Sequence, residues 1–214
     1  MILKELVDLV DIALQATNKT YKEVKMCELG NQHCNVPNEP LIGKQLMLKR
    51  GVAEHVTLDI NGEDGAERFD MEKPILKWAH YFDILTNYGS TEHMPDQYEV
   101  FKNIHNLVKT GGAVVHVVPP VGEWPDHCPV YYVPKFFEQL STAAGYKIVY
   151  CEQRDNGDLK RRPLLCCVYS CPEHQPFISK EEFSKFPLHY VNFQNKQVID
   201  SLQQFKLSAI NKDE

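Results

Sequence analysis

No apolar run in the 214-residue chain approaches the ~18–20 residues that a membrane-spanning helix requires. The opening Met1-Ile2-Leu3-Lys4-Glu5-Leu6 mixes charge with apolar residues and places no basic flank before a long apolar core, so neither a spanning helix nor a signal peptide is expected. Positive charge is also short. Lys and Arg number 23 against 29 Asp and Glu, a net charge of −6, the wrong sign for a surface that grips a phosphate backbone. The one dense basic cluster, Lys160-Arg161-Arg162, falls in an expected hairpin turn and reads as solvated. Paired cysteines are missing too: the seven are an odd count, several sit in strand-like runs (Cys27, Cys151, Cys166, Cys167), and no C-x-x-C pair occurs. Reduced thiols in a cytosolic setting are the expectation. His33-Cys34, His127-Cys128, Cys171 and His174 lack zinc-site spacing, so no metal centre is expected.

What is present is globular usage, 43% hydrophobic and 24% charged, in a chain long enough to bury about 70% of its unfolded surface without disulfides or metal. Residues 2–16 carry Ile2, Leu3, Leu6, Leu9, Val10 and Ala13 at helical spacing, predicting an opening amphipathic helix. Strand patterns follow at 24–29, 55–60, 68–71, 82–87 and 113–118, with a short helix near 40–49 and a longer one capped by Asp96. Glu99 completes a capping box there, and Gly111-Gly112 read as the helix stop. Pro134 opens another helix that Gly145 ends, and strands at 147–151 and 164–169 flank an Asp155-Asn156-Gly157-Asp158 turn. Strands alternating with helices predict a Rossmann-like, doubly wound α/β sheet, mostly parallel, with an antiparallel C-terminal hairpin strand. The expected organisation is one domain over 1–175 and an extension over 176–214, packed on it or acting as a lid. The extension has one amphipathic stretch around Val198, Leu202 and Phe205.

Ligands of such sheets bind beyond the carboxyl ends of the strands. Those ends carry Glu28, Gly30, Asn31 and Gln32 after the first strand, Asp59 and Ile60 after the second, Asp70 and Met71 after the third, and Asn87, Tyr88 and Gly89 after the fourth. A carboxylate ending the second strand can accept both hydroxyls of a ribose, and a glycine after the first lets the backbone approach a ligand closely.

The order Glu28-x-Gly30, Asp59, Asp70-Met71 and Phe82-Asp83-Ile84-Leu85-Thr86-Asn87 resembles that of class I S-adenosylmethionine-dependent methyltransferases, over about Val24 to Ser170. The resemblance implies a methyltransferase with S-adenosylmethionine as cofactor. Glu28 is placed near the methionine end, Gly30 at the close approach, Asp59 on the ribose, Asp70 and the Met71 amide on the adenine edge, and Asn87 to Gly89 beneath the methionine. Where that family has further glycines this chain has Asn31, Gln32 and His33. A nicotinamide site is the poorer reading, since Gly30 stands alone without a G-x-G-x-x-G turn.

Methyl transfer needs alignment, and a base only when the acceptor must lose a proton. Glu92 and His93 after the fourth strand and His127 after the fifth are the catalytic candidates, with Glu92 orienting an imidazole. His116, inside a strand, reads as a core histidine, and Trp124, Tyr131 and Tyr132 read as packing. The acidic surface predicts a small-molecule acceptor, with nucleic acid and membrane partners not expected. The alternative reading is a protein of this fold that binds the cofactor or a partner without transferring a methyl group.

Overall fold

The computed structural model describes residues 1–155, 162–173 and 175–191. In chain order the elements are β1 (Ile2–Leu3), α1 (Asp8–Thr17), β2 (Lys25–Leu29), β3 (Cys34–Asn35), α2 (Gly43–Lys49), β4 (Glu54–Asp59), β5 (Glu67–Arg68) and β6 (Phe82–Tyr88). They continue with α3 (Gln97–Leu107), β7 (Val108–Val118), β8 (Val130–Tyr131), α4 (Pro134–Ala144), β9 (Lys147–Asp155), β10 (Pro163–Cys171), α5 (Lys180–Phe183) and β11 (His189–Tyr190). One sheet runs β5-β4-β2-β6-β7-β10-β9. Every pairing from β5 to β7 is parallel, and β10 is antiparallel to both of its neighbours, so β10 alone is reversed. This is the Rossmann-like, mostly parallel sheet with a reversed hairpin strand that the pattern predicts. From β2 the chain builds outward through β4 and β5, then returns to the other side of β2 with β6. The crevice of a doubly wound sheet opens at that reversal, between the carboxyl ends of β2 and β6.

Side-chain alternation along the strands divides the core into two layers. Val114 and Val118 of β7 pack with Phe101 and Ile104 of α3 and Phe136, Phe137 and Leu140 of α4. Ala113, Val115 and Val117 pack with Leu9, Val10 and Ala13 of α1 and with Leu46 and Met47 of α2. Cover on both faces explains the nearly continuous apolar run of this strand. Truncating a buried ring such as Phe137 to alanine removes about 3–5 kcal/mol.

Local structure departs from expectation in several places. Ile2 and Leu3 are not helical but pair in parallel with Cys34 and Asn35, and α1 starts only at Asp8. Helical spacing in Leu6, Leu9, Val10 and Ala13 is real, but a two-residue strand pairing leaves no period to read. Gly111 and Gly112 do not end α3, which stops at Leu107; they lie within β7. A Cβ on Gly112 would sit 2.7 Å from Val108 Cγ1 and 2.9 Å from the Asp83 carbonyl oxygen, so the glycine permits close backbone approach between strands. The strand expected at 68–71 is the edge strand β5, which covers only Glu67–Arg68, and Asp70 lies beyond it and accepts the Glu72 amide at 3.0 Å. Asp96 does cap α3, accepting the Glu99 amide at 3.3 Å, but its own N–H donates to the Glu72 carboxylate at 2.8 Å, which displaces Glu99 from the expected capping box.

Phe177, Ile178, Phe183, Phe186 and Leu188 join the α3–α4 layer, and β11 pairs with β8. The segment 192–214, with its stretch around Val198, Leu202 and Phe205, lies outside the described residues, as do the 156–161 turn with Lys160 and Arg161, and His174. Among the described residues no helix is long and apolar enough to cross a membrane, and all seven cysteines are free thiols.

The amino end of the sheet is tied by one carboxylate. Asp83, 2% exposed, accepts Lys19 Nζ at 2.6 Å, the Lys25 amide at 2.9 Å and Lys109 Nζ at 3.1 Å. Burial alone would push Asp83 up; the donors from Lys19, Lys25 and Lys109 outweigh it and hold the carboxyl below its ordinary range. A group depressed by folding stabilises above its unfolded pKa, and that contribution is lost as the pH falls through the folded value. Asp83→Asn should therefore cost about 1–3 kcal/mol at neutral pH. Denaturant titrations should show the gap from wild type closing as the pH falls below about 4; a gap independent of pH would contradict this role.

Candidate functional site

At the crevice β2 is followed by Gly30, whose φ of +77° lies in the left-handed region. A Cβ there would lie 2.3 Å from Ser90 Oγ and 2.7 Å from Gln32 Nε2. The glycine is thus demanded by side chains of the molecule itself. Gln32 Nε2 donates to the Leu29 carbonyl at 3.1 Å and to Ser90 Oγ at 2.9 Å, while the Ser90 hydroxyl donates to Leu29 at 2.7 Å. The Met1 nitrogen bonds Gln32 Oε1 and the Tyr88 carbonyl, so the β1 segment crosses this loop. Asn31 Nδ2 reaches Asp64 at 2.8 Å.

The acids play different parts. Glu28, 1% exposed, lies beneath the loop, accepting Thr57 Oγ1 at 3.3 Å. A Cβ on Gly43 would lie 2.2 Å from Glu28 Oε1, so the carboxyl braces the start of α2 against β2. Burial pushes it up to about 8. Asp59, at the end of β4, is half-buried and accepts the Asn31 amide at 2.6 Å on one oxygen and the Asn61 amide at 2.8 Å on the other. Each oxygen keeps a further lone pair for a ligand. Ile60 beside it and Asp70 are half-buried, and Met71 is buried. Asn103 of α3 pins their loop, donating to the Met71 and Lys73 carbonyls at 2.9 and 2.7 Å and accepting the Ile75 amide at 3.0 Å.

Beyond β6 a second group converges. Asn87, fully buried, accepts the Ser90 and Thr91 amides at 3.0 and 3.2 Å, and its Nδ2 donates to Thr91 Oγ1 at 2.8 Å and His116 Nδ1 at 3.1 Å. Gln97 Nε2 donates to the Thr91 and Met94 carbonyls, both at 2.6 Å, and Tyr132 donates to Gln97 Oε1 at 2.6 Å. The 3-10 turn Thr91–His93 is thereby held from both sides. Asp126 at φ 55° turns the chain into His127. The Tyr131 hydroxyl accepts the His127 and Cys128 amides and donates to the Trp124 carbonyl.

These loops set Glu92 Oε1 3.9 Å from His93 Nε2 and 4.0 Å from His127 Nε2. The three potential ligand atoms all lie within 4.8 Å of one another. A Cβ on Gly89 would be 3.1 Å from Glu92 Oε1, so the trio adjoins the end of β6. Burial pushes Glu92 up to about 7 and His93 down to about 4, and lowers His127 as well.

The structure thus brings the three catalytic candidates, Glu92, His93 and His127, close together. His116 is a core residue, held between Asn87 and Tyr169 and lowered to about 3 by burial. Tyr131 and Tyr132 pack and also anchor the loops. Trp124 donates to the Pro163 carbonyl at 2.7 Å and carries the Arg162 guanidinium over its ring. Sequence reasoning missed Ser90, Thr91 and Gln97. Gln97 could have been found, because a polar residue at the same helical stripe as Phe101 and Ile104 signals a buried hydrogen bond.

No family model matches this sequence, and no curated protein matches it. Solved structures do match in fold. A 1,6-didemethyltoxoflavin-N1-methyltransferase from Burkholderia thailandensis, with bound 1,6-didemethyltoxoflavin and S-adenosylhomocysteine, aligns with a TM-score of 0.55 at 12% identity, over 79% of each chain. An S-adenosylmethionine-dependent methyltransferase from Mesorhizobium loti aligns with a TM-score of 0.53 at 15% identity, over 73% of this chain and 95% of that one. The chain has the class I S-adenosylmethionine-dependent methyltransferase fold.

Proposed function

We propose that the protein is an S-adenosylmethionine-dependent methyltransferase acting on a small-molecule acceptor. The observation that carries the reading is the contact between Glu92 and Gly89, which sets a Glu-His-His cluster directly against the strand end where the cofactor of this fold lies. The residues present fit an adenosine. Asp59 offers unused lone pairs to a ribose, and the Asp70-Met71 loop is held rigidly by Asn103. Glu28, Asn31 and Gln32 shape the loop from within, and the backbone at Gly89 lies opposite, with the Asn87 and Tyr88 side chains buried behind it.

The cofactor, when bound, supplies an electrophilic methyl group. The chain's own part is to align the acceptor and exclude water. Glu92, His93 and His127 are the polar groups placed to hold an acceptor atom. A cavity of about 330 Å³ lined by Trp124, Asp126, Tyr131 and His189 lies beside the loop that carries His127, and Glu92, His93 and His127 do not line it. The net charge of −6 favours a small-molecule acceptor over a polyanion. Packing of Gln32 and Ser90 beside Gly30 favours the second reading, a cofactor-binding protein without transfer; it would hold the cofactor and turn over no acceptor.

Asp59→Ala should weaken S-adenosylhomocysteine by about tenfold or more, the loss of one charge-assisted hydrogen bond being worth about 1.5–3 kcal/mol. Calorimetry that finds no heat with wild type at sub-millimolar ligand would overturn the cofactor assignment, and an unchanged affinity in the variant would remove Asp59 from the ribose.

Adenine recognition by Asp70 and the Met71 amide should make the protein prefer S-adenosylhomocysteine to its inosine analogue, with Asp70→Asn narrowing the preference. Equal affinity of wild type for the two ligands would contradict it.

A further inference from the structure

We propose that Glu92, His93 and His127 bind one divalent transition-metal ion of the zinc or iron(II) class. The donor set is two imidazoles and a carboxylate, borderline ligands that suit these ions better than magnesium or calcium, which prefer oxygen donors alone.

The spacing is that of a shared ion. Glu92 Oε1 stands 3.9 Å from His93 Nε2 and 4.0 Å from His127 Nε2, too far for hydrogen bonds. Tetrahedral ligands at bond lengths of ~2.0–2.1 Å have edges of about 3.3–3.4 Å. Closing the two Glu92–histidine edges takes about half an ångström each, and the histidine nitrogens, within 4.8 Å of one another, close by up to about 1.4 Å through imidazole rotation.

The second observation is the carboxylate itself. Glu92 is 1% exposed, and its Oε2 is buried without a hydrogen-bond partner. A buried carboxylate with one oxygen unpaired is a costly arrangement; the Met1 ammonium offsets part of its charge, and a cation held at Oε1 of the same group relieves it further.

The support is built as well. Asn87 and Gln97 clamp the Thr91–His93 turn, and Tyr131 clamps the backbone at His127. The histidine side chains remain 30% and 39% exposed, which gives an ion a way in and leaves coordination positions for water or a ligand atom. Contact of such an ion with the methyl acceptor would rest on the methyltransferase reading; binding of the ion does not.

The test uses chelator-treated, full-length protein titrated with Zn²⁺ by calorimetry and with Co²⁺ by visible absorption. One equivalent should bind, with Co²⁺ giving the ligand-field bands of a low-coordinate nitrogen and oxygen site. His127→Ala and His93→Ala should each weaken Zn²⁺ by about 100-fold or more, beyond the 10–100-fold typical of outer residues, and Glu92→Gln should abolish the Co²⁺ bands. Circular dichroism and melting curves establish that the variants fold; should Glu92→Gln fail to fold, His127→Ala on its surface loop carries the test. Wild type that binds no Zn²⁺, or uptake unchanged in the folded histidine variants, overturns the site. S-adenosylhomocysteine is titrated into the same preparation. Cofactor binding without metal overturns this inference alone, and metal binding without cofactor overturns the methyltransferase reading alone.

Discussion

The side-chain amide of Asn87, buried at the carboxyl end of β6, uses its oxygen to hold the Ser90 and Thr91 amides and its nitrogen to bond Thr91 Oγ1 and His116 Nδ1. Two backbone donors on Oδ1 fix which way the amide points. Its N–H therefore donates to His116 Nδ1, the imidazole carries its proton on Nε2, and that proton goes to the Tyr169 hydroxyl at 3.2 Å. One residue thus joins β6, β7 and β10 to the turn that presents Glu92 and His93. Leaving any of these buried groups unpaired costs about 1–3 kcal/mol, so the turn has one favourable conformation.

β6 carries this logic at both ends. Every residue from Phe82 to Tyr88 is buried, and its polar members are satisfied by neighbours on either side. Asp83 gathers Lys19, Lys25 and Lys109 at the amino end of the sheet, while Asn87 gathers the site loops at the carboxyl end. Between them Ile84 and Leu85 pack into opposite layers of the core. The strand is a rigid bar with a structural clamp at one end and the candidate site at the other, the condition under which loop residues can be placed accurately.

The sheet and its long helices were legible because hydrophobic period and caps are local signals. The runs at 113–118 and 82–87, Pro134 with Gly145, and Asp96 all mark what the structure contains. The pairing of Ile2 and Leu3 with Cys34 and Asn35 was not legible, since two residues carry no period and the partner is remote in sequence. Gly112 misled for a related reason: it answers to the Asp83 carbonyl of the adjacent strand, not to α3. At the site, Glu92, His93 and His127 were readable as polar residues following consecutive parallel strands. The helical stripe marks Gln97 as a buried polar residue, but its partners and those of Tyr131 were not legible, because a buried hydrogen bond between distant residues has no spacing rule. Gly30 was read as the point where the backbone comes close to a ligand; the groups that the structure brings against it are Ser90 and Gln32.

The proposed function requires an adenosine cofactor at the reversal between β2 and β6, with the Glu92, His93 and His127 cluster beside it. A crystal structure of the protein with S-adenosylhomocysteine tests this most directly. The expected electron density lies between Gly30 and Gly89, with the ribose hydroxyls on Asp59, the adenine edge at Asp70 and Met71, and the sulfur facing the cluster. Density elsewhere on the molecule, or a ribose remote from Asp59, would contradict it.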